Sequence, residues 1–327
     1  TVENFKRCLT DKTKVVALTH VSNVLGVISP VKEITKLAHE KGAIVILDGA
    51  QSVPHMKVDV KDLDVDFLAF SGHKMMAPTG TGILYGKYKL LNSLNPAEFG
   101  GDMNDGVEKY TSTFKDAPEK FEAGTQNIEG VIAFKKAIEY LSNIGMDNVH
   151  EHSKALANYV VEQVKDNPLL ELYTKNPESG IVTFNIKDVH PHDVATFLSS
   201  YNICIRAGHH CAQLITHHLG CMGTVRASFY LYNTLEDAKK FLAQVAEEEY
   251  WSDMHTKIKR ESDILSDLNE EEKKLPPEEL QYRIECKRRT QLLQSVTEKL
   301  DKQVQCRPYV NMEELKQAQA QQASFDY

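Results

Sequence analysis

Phe67-Leu68-Ala69-Phe70-Ser71-Gly72-His73-Lys74 is an apolar run closed by a small residue, a glycine, a histidine and a lysine. Four consecutive apolar residues followed by Ser-Gly read as a buried strand leaving through a turn. Lys74 then stands just past a strand end, where open α/β sheets keep their ligands. An amine held there loses hydration, its pKa falls, and its neutral form can make a Schiff base with a carbonyl compound. Taken alone, a lysine after a strand is an ordinary exposed side chain. Its surroundings decide the matter.

Upstream, Val15-Val16-Ala17-Leu18 is a short β-rich run, followed by the polar turn Thr19-His20-Val21-Ser22-Asn23. Ser29-Pro30 has the form of an N-cap with proline at the first helical position. Val31, Ile34, Leu37 and Ala38 then recur at helical spacing, with Gly42 at the C-terminal cap. Ala43-Ile44-Val45-Ile46-Leu47 predicts a second buried strand, ending in Asp48-Gly49-Ala50-Gln51. That is a βαβ unit, which implies parallel strands and a right-handed crossover. Gly82-Ile83-Leu84-Tyr85-Gly86 continues the sheet. Pro78-Thr79-Gly80-Thr81-Gly82 lacks the P-loop form and reads as a turn. Residues 92–125 read as one long irregular loop, a kind that is more often functional than idle.

Val131, Phe134, Ile138 and Leu141 predict an amphipathic helix, after which the pattern becomes α+β. A helix runs through Leu156, Val160 and Val164, with strands expected at 181–186, 203–206 and 225–229 and a helix opening at Pro191. Thr234 and Asp237 form a capping box. The expected division is a partial cofactor-binding domain over 1–130, a small α+β domain over 131–252, and a charged helical extension over 253–327. In that extension Leu293, Val296 and Leu300 stand at helical spacing and 317–322 is rich in Gln. Too few heptads are present for a coiled-coil seam, so a solvated helix is the expectation.

Asp48, Gln51 and Lys74 make sense together. A pyridoxal phosphate held by Lys74 draws electrons best with its ring nitrogen protonated, and a carboxylate at a neighbouring strand end holds that proton. Gln51 could bond the ring's phenolic oxygen, and Ser71 and His73 could hold the phosphate. A second group is Arg206-Ala207-Gly208-His209-His210-Cys211-Ala212. Histidines and an arginine around a cysteine in a glycine loop favour thiolate, although most free cysteines are inert core residues. Zinc is a third reading, through His209, His210, Cys211, His217, His218 and Cys221, but paired ligand spacing is lacking. Arg226, among apolar neighbours, is a candidate fork for a carboxylate.

With Phe121-Glu122-Ala123-Gly124-Thr125 added, these stretches resemble the group II (SUF-type) cysteine desulfurases of the class V aminotransferase family, close to the selenocysteine lyases. The likeness runs from about residue 10 to about 250. It implies a fold-type I pyridoxal phosphate enzyme with a mainly parallel sheet, normally a homodimer. Lys74 would be the Schiff-base lysine, Asp48 the pyridine partner and Gln51 the phenolate contact. Ser71 and His73 would hold the phosphate, and Thr125 would reach the phosphate of a neighbouring subunit. Asn23 and Arg226 would hold the substrate carboxylate, with Arg206 lining the same pocket, and Cys211 would carry a persulfide. The implied reaction takes L-cysteine to L-alanine, Lys74 moving the α-proton, with the sulfur passing to an acceptor protein for iron–sulfur cluster assembly. L-selenocysteine is the alternative substrate.

The family's large domain begins before Thr1, and no match to its ring-stacking histidine or Gly-Thr-Thr phosphate turn occurs here. The expectation is therefore a chain entered partway through, and the competing reading is a catalytically incomplete fragment or fusion that binds a partner. The 327 residues carry a net charge of −8 and scattered basic side chains, which argues against a nucleic-acid binder. No apolar run approaches the length that crosses a bilayer. Cys8, Cys204, Cys211, Cys221, Cys286 and Cys306 lie far apart, as reduced thiols of the cytoplasm do, or of an organelle if a targeting segment precedes Thr1.

Overall fold

The computed structural model describes residues 1–246, 251, 264, 267–277, 279–284, 286, 287 and 290. In chain order they form α1 (Val2–Cys8), β1 (Val15–Thr19), α2 (Val31–Glu40), β2 (Ile44–Asp48), α3 (Val60–Leu63), β3 (Phe67–Ser71), β4 (Gly82–Gly86) and α4 (Tyr88–Ser93). A hairpin of β5 (Asn104–Val107) and β6 (Ser112–Phe114) leads to α5 (Ile128–Ile144) and α6 (Met146–Val164). The remainder is β7 (Leu170–Leu172), β8 (Ile181–Ile186), α7 (Pro191–Ser200), β9 (Arg206–Gly208), α8 (Gln213–His218), β10 (Thr224–Ser228) and α9 (Leu235–Val245). Two compact units result: residues 1–187 with 204–246, and residues 188–203 with those after 246.

The first sheet has the order β1-β2-β3-β4. β1, β2 and β3 run parallel, as the βαβ reading requires, while β4 returns antiparallel to β3. Alternation decides what each face meets. Val45, Leu47 and Leu68 are buried against Val31 and Ala38 of α2, with Val16 and Leu18 beside them. Burying a side chain of this size contributes roughly 1.5–3 kcal/mol. The opposite face is open among the described residues: Val15, Ile46 and Leu84 are exposed, and Thr19, Asp48 and Ala69 form a register row across it. Asp48 therefore projects from the uncovered side of the sheet.

Local chemistry departs from expectation at several points. Ser29 does not cap α2; its hydroxyl donates to the Thr19 carbonyl at 2.7 Å, and Pro30 takes the cap position with no side-chain bond. The expected strand at 203–206 lies instead at Arg206–Gly208, because the Ile203 N–H closes α7 on the Leu198 carbonyl. The 92–125 stretch contains the β5–β6 hairpin, with Val107 and Tyr110 exposed. The Thr234–Asp237 capping box is present in both directions.

The second sheet, β7-β8-β10-β9, is antiparallel. A loop from the first sheet is stapled to it: Thr183 Oγ1 donates to the Val24 carbonyl, Thr174 Oγ1 to the Leu25 carbonyl at 3.3 Å, and the Ile28 N–H to Glu178 at 2.6 Å. Gly26 sits there with φ +69°, where a Cβ would meet Ser179 Oγ at 2.5 Å, so sterics and backbone both demand glycine. In the other unit, Phe197 of α7 meets Trp251 edge-on at 4.7 Å, and Ile264, Leu268 and Ile284 form a small core with Leu280. Leu293, Val296, Leu300 and the Gln-rich 317–322 lie outside the described residues.

An ion network centred on buried Asp66 ties α2 to the strand ends. Asp66 accepts from the Val45 N–H at 2.7 Å and contacts His39 Nε2 and Lys87 Nζ, both at 2.9 Å, while Lys87 also meets Asp64. Burial opposes the Asp66 charge, but the bonds from Val45, His39 and Lys87 outweigh it and hold the carboxyl below its ordinary range. A folded-state pKa below the unfolded value adds stability above pH ~4, lost as pH falls through the folded pKa. Asp66→Asn is expected to cost about 2–3 kcal/mol at neutral pH in urea titrations, and the gap from wild type should narrow below pH ~4. An unchanged gap at pH ~3 would assign the loss to packing instead.

Candidate active site

Two groups of side chains converge in the first unit. The first lies at the carboxyl ends of β1, β2 and β3. The His20 N–H donates to the Asp48 carbonyl at 2.9 Å and the Gly49 N–H to the Ala69 carbonyl at 2.8 Å, so the ladder holds to the last residue of β2. Asp48 Oδ1 accepts from the Ala50 N–H at 2.8 Å, and the carboxylate has no ion-pair partner among the described residues. Gln51, half-buried, follows in the same turn.

β3 passes from Ser71 into a 3-10 turn, Gly72–Met75, that carries exposed His73 and half-buried Lys74. Met75 is buried with Phe134, Leu141 and Tyr230, so the residue after Lys74 is pinned in the core. Gly72 is buried, and a Cβ there would meet Thr81 Oγ1 at 2.5 Å. Like Asp48, Lys74 has no ion-pair partner among the described residues.

The second group is built on β9 and β10. Arg206 and Arg226 are direct cross-strand partners. Like charges placed opposite one another destabilise a sheet pair unless an anion lies between or beside them. Arg226 is half-buried; Nη1 donates to the Asn23 carbonyl at 2.7 Å, and Nε is buried without a partner. Burial, and then the Arg206 charge, works against the Arg226 cation, while Cys211 favours it. Arg206 Nη2 lies 3.6 Å from Cys211 Sγ, and Asn23 Nδ2 donates to the His210 carbonyl at 2.5 Å. Asn23, Arg206, Cys211 and Arg226 thus form one connected, positively charged cluster.

His55 links the two groups. Burial is the main cause that pushes its pKa down to about 4, followed by the charges of Lys74, His150 and Arg226. One ring feels both the lysine of the first group and the arginine of the second. It meets Tyr230 edge-on at 4.5 Å, and the Tyr230 hydroxyl donates to the Pro54 carbonyl at 2.9 Å. The sequence alone assigns no role to His55, nor to His20, whose buried Nδ1 has no partner among the described residues and whose pKa burial lowers. Their spacing from Asp48, seven residues on and one register position across, was the available signal. Thr125 is exposed, two residues before Asn127 caps α5, and this structure does not join it to either group.

The donor set suits an anionic ring cofactor: an amine on a rigid turn, a strand-end carboxylate with one oxygen engaged, and a buried imidazole nitrogen left unmatched. The zinc reading fares worse in geometry. His209 Nδ1 is engaged with Thr216 Oγ1 at 3.1 Å and His210 Nε2 with Thr224, so these rings face different partners. No group of three or more His, Cys, Asp or Glu side chains among the described residues could hold a metal ion.

Comparison with known proteins identifies the family. A probable cysteine desulfurase of Halalkalibacterium halodurans is 52% identical over 236 residues, covering 72% of this chain and 58% of the relative. One from Staphylococcus epidermidis is 50% identical over 243 residues, covering 74% and 59%. Among solved structures, an Escherichia coli cysteine desulfurase in an S-sulfonic acid form matches with TM-score 0.72 at 37% identity, over 75% of this chain and 61% of that one. The apo cysteine desulfurase of Thermococcus onnurineus also has TM-score 0.72, at 40% identity, over 75% and 62%. The chain therefore spans about three-fifths of the length of these relatives. The family described as aminotransferase class-V matches residues 1–241, a span that takes in both groups of site residues, and with relatives half identical over the same stretch the chain belongs to the class-V aminotransferases.

Proposed function

We propose that the chain carries the active site of a pyridoxal phosphate-dependent cysteine desulfurase, converting L-cysteine to L-alanine and retaining the sulfur as a persulfide on Cys211. The observation that carries this reading is the Arg206–Arg226 cross-strand pair with a thiol on one side and Asn23 on the other. Two apposed guanidiniums ask for two anions, and an amino acid carboxylate beside a cysteine thiolate supplies them. When bound, the cofactor supplies the electron sink that weakens the substrate's Cβ–Sγ bond. Lys74, Asp48, Gln51, Ser71 and His73 would hold it, with Thr125 doing so across a homodimer.

The remaining work belongs to the chain's own residues. Arg226 and Asn23 fix the substrate carboxylate, Arg226 through the guanidinium edge that Asn23 leaves open. Lys74 takes the α-proton and returns it during product formation. Cys211 attacks the substrate sulfur: a new S–S bond forms, the Cβ–Sγ bond breaks, and its electron pair stays with the carbon that leaves as alanine.

In this reading the part through residue 130 serves the cofactor and residues 131–252 the thiol, with residues 253–327 a charged helical extension beyond them. The sulfur passes to an acceptor protein for iron–sulfur cluster assembly in the cytoplasm, and L-selenocysteine is the alternative substrate. No helix among the described residues is long and apolar enough to cross a membrane. The test is direct: incubate the purified chain with pyridoxal phosphate and L-cysteine, then measure alanine and the intact mass. Alanine together with one added sulfur atom mapped to Cys211 is the expected result. A colourless protein that forms no alanine yet captures a partner through residues 253–327 supports the binding scaffold instead.

A further inference from the structure

The loop that presents Cys211 has an unusual backbone. Gly208 has φ +112°, and the two non-glycine residues His210 and Cys211 follow at +53° and +61°. Consecutive L-residues in the left-handed region cost of order 1–2 kcal/mol each and persist only where side chains over-determine them. Contacts that hold this loop include Ala212 N–H to the His209 carbonyl at 2.8 Å, His209 Nδ1 to Thr216 Oγ1, and Asn23 Nδ2 to the His210 carbonyl. The most buried is the His210 ring, only 3% exposed, whose Nε2 lies 3.0 Å from the Thr224 carbonyl and 2.8 Å from Thr224 Oγ1.

A carbonyl oxygen can only accept, so Nε2 must carry the proton and Nδ1 must be the bare nitrogen. Nδ1 is buried and has no partner. Thr224 stands two residues before Arg226, on the same face of β10. The anchor point and the carboxylate fork are therefore parts of one rigid strand.

We propose that His210 is the positioning residue of the reactive-cysteine loop: its ring, fixed as the Nε2–H tautomer by Thr224, locks Cys211 in a left-handed backbone that sets its sulfur beside Arg206. This deepens the desulfurase reading, since it says how the thiol is kept pointing at the anion site. Burial first, and then the Arg226 charge, push the His210 pKa down to about 4, so the ring stays neutral where the enzyme works. His210 touches no reacting atom; it acts through Cys211.

The experiment compares two near-isosteres. His210→Gln places an amide N–H where Nε2–H lies, whereas His210→Asn reaches only the Nδ1 position. The readout is the rate of iodoacetamide alkylation of Cys211 at neutral pH, by peptide mass spectrometry, relative to exposed Cys204 in the same molecule. Arg206 Nη2, 3.6 Å from the sulfur, stabilises the negative charge that develops there as the thiol reacts. His210→Asn should therefore slow Cys211 roughly five- to tenfold, and His210→Gln should stay within about twofold of wild type. Equal rates in His210→Asn and wild type, or a Gln variant as slow as Asn, would overturn the proposal. Should either variant fail to fold, the ¹⁵N ring shifts of wild-type His210 decide it: Nε2–H supports it, and Nδ1–H or a charged ring at neutral pH refutes it. Alkylation needs no turnover, so loss of the desulfurase reading leaves this result standing, and the reverse.

Discussion

Cys211→Ala should lower the conversion of cysteine to alanine by about three orders of magnitude, some 4 kcal/mol of transition-state stabilisation, with cofactor binding unchanged. The size follows from the proposed role of the thiol as the group that takes the sulfur. Without it the Cβ–Sγ bond has no nucleophile, and water is a poor substitute for thiolate. Alanine is also a gentle replacement here. It occupies φ +61° at the same backbone strain as cysteine, and the exposed Sγ buries little that could be lost. Cys204→Ala is the matched control, since that thiol is also exposed but lies outside the Arg206–Arg226 pair. Steady-state alanine release, with the cofactor absorbance recorded on the same sample, separates the two. A class-V aminotransferase acting only on the amino group has no use for this thiol. An undiminished rate would therefore remove Cys211 from the mechanism and return the chain to that broader chemistry.

How far the sequence reaches depends on whether a signal is local. The parallel trio β1–β2–β3 is legible because its strands are continuous apolar runs, although one face of them is exposed, and a helical repeat separates the first two. The antiparallel return of β4 is not, since Gly82–Gly86 has the same apolar character whichever way it runs. β5 and β6 are exposed on both faces and carry no alternation, so Gly and Asp around them read as loop. β7 is three residues long, too short for a period. Among site residues, Asp48, Lys74 and Cys211 were visible because each interrupts an apolar or glycine context. The cross-strand meeting of Arg206 and Arg226, and the roles of His55 and His210, depend on partners far along the chain. Ser29 departs from the expected helix cap for a related reason. Its hydroxyl donates to the Thr19 carbonyl, a distant strand end, where a cap would accept from the first N–H groups of α2.

Lys74→Ala should have an effect as large, and of a different kind. Borohydride, expected to fix the cofactor to the wild-type protein at this residue, should then leave it dialysable, and turnover should fall by about 10³–10⁴-fold. Two functions are lost at once, covalent attachment and proton transfer, and they can be told apart. An added small primary amine restores a base but not a tether, so partial recovery of alanine formation without cofactor retention would assign the larger share to proton transfer. The fold should survive the change. Met75 and Gly72, not Lys74, anchor the 3-10 turn in the core, and Lys74 has no ion pair among the described residues to leave unmatched. A melting temperature within a few degrees of wild type is accordingly expected for the cofactor-free proteins, because a half-exposed lysine outside any network changes stability by less than about 0.5 kcal/mol. If borohydride still fixed the cofactor in the variant, another amine would be the attachment point. Asp48 would then lose its assigned partner as well, since the case for that carboxylate rests on the strand it shares a register with leading directly into Lys74.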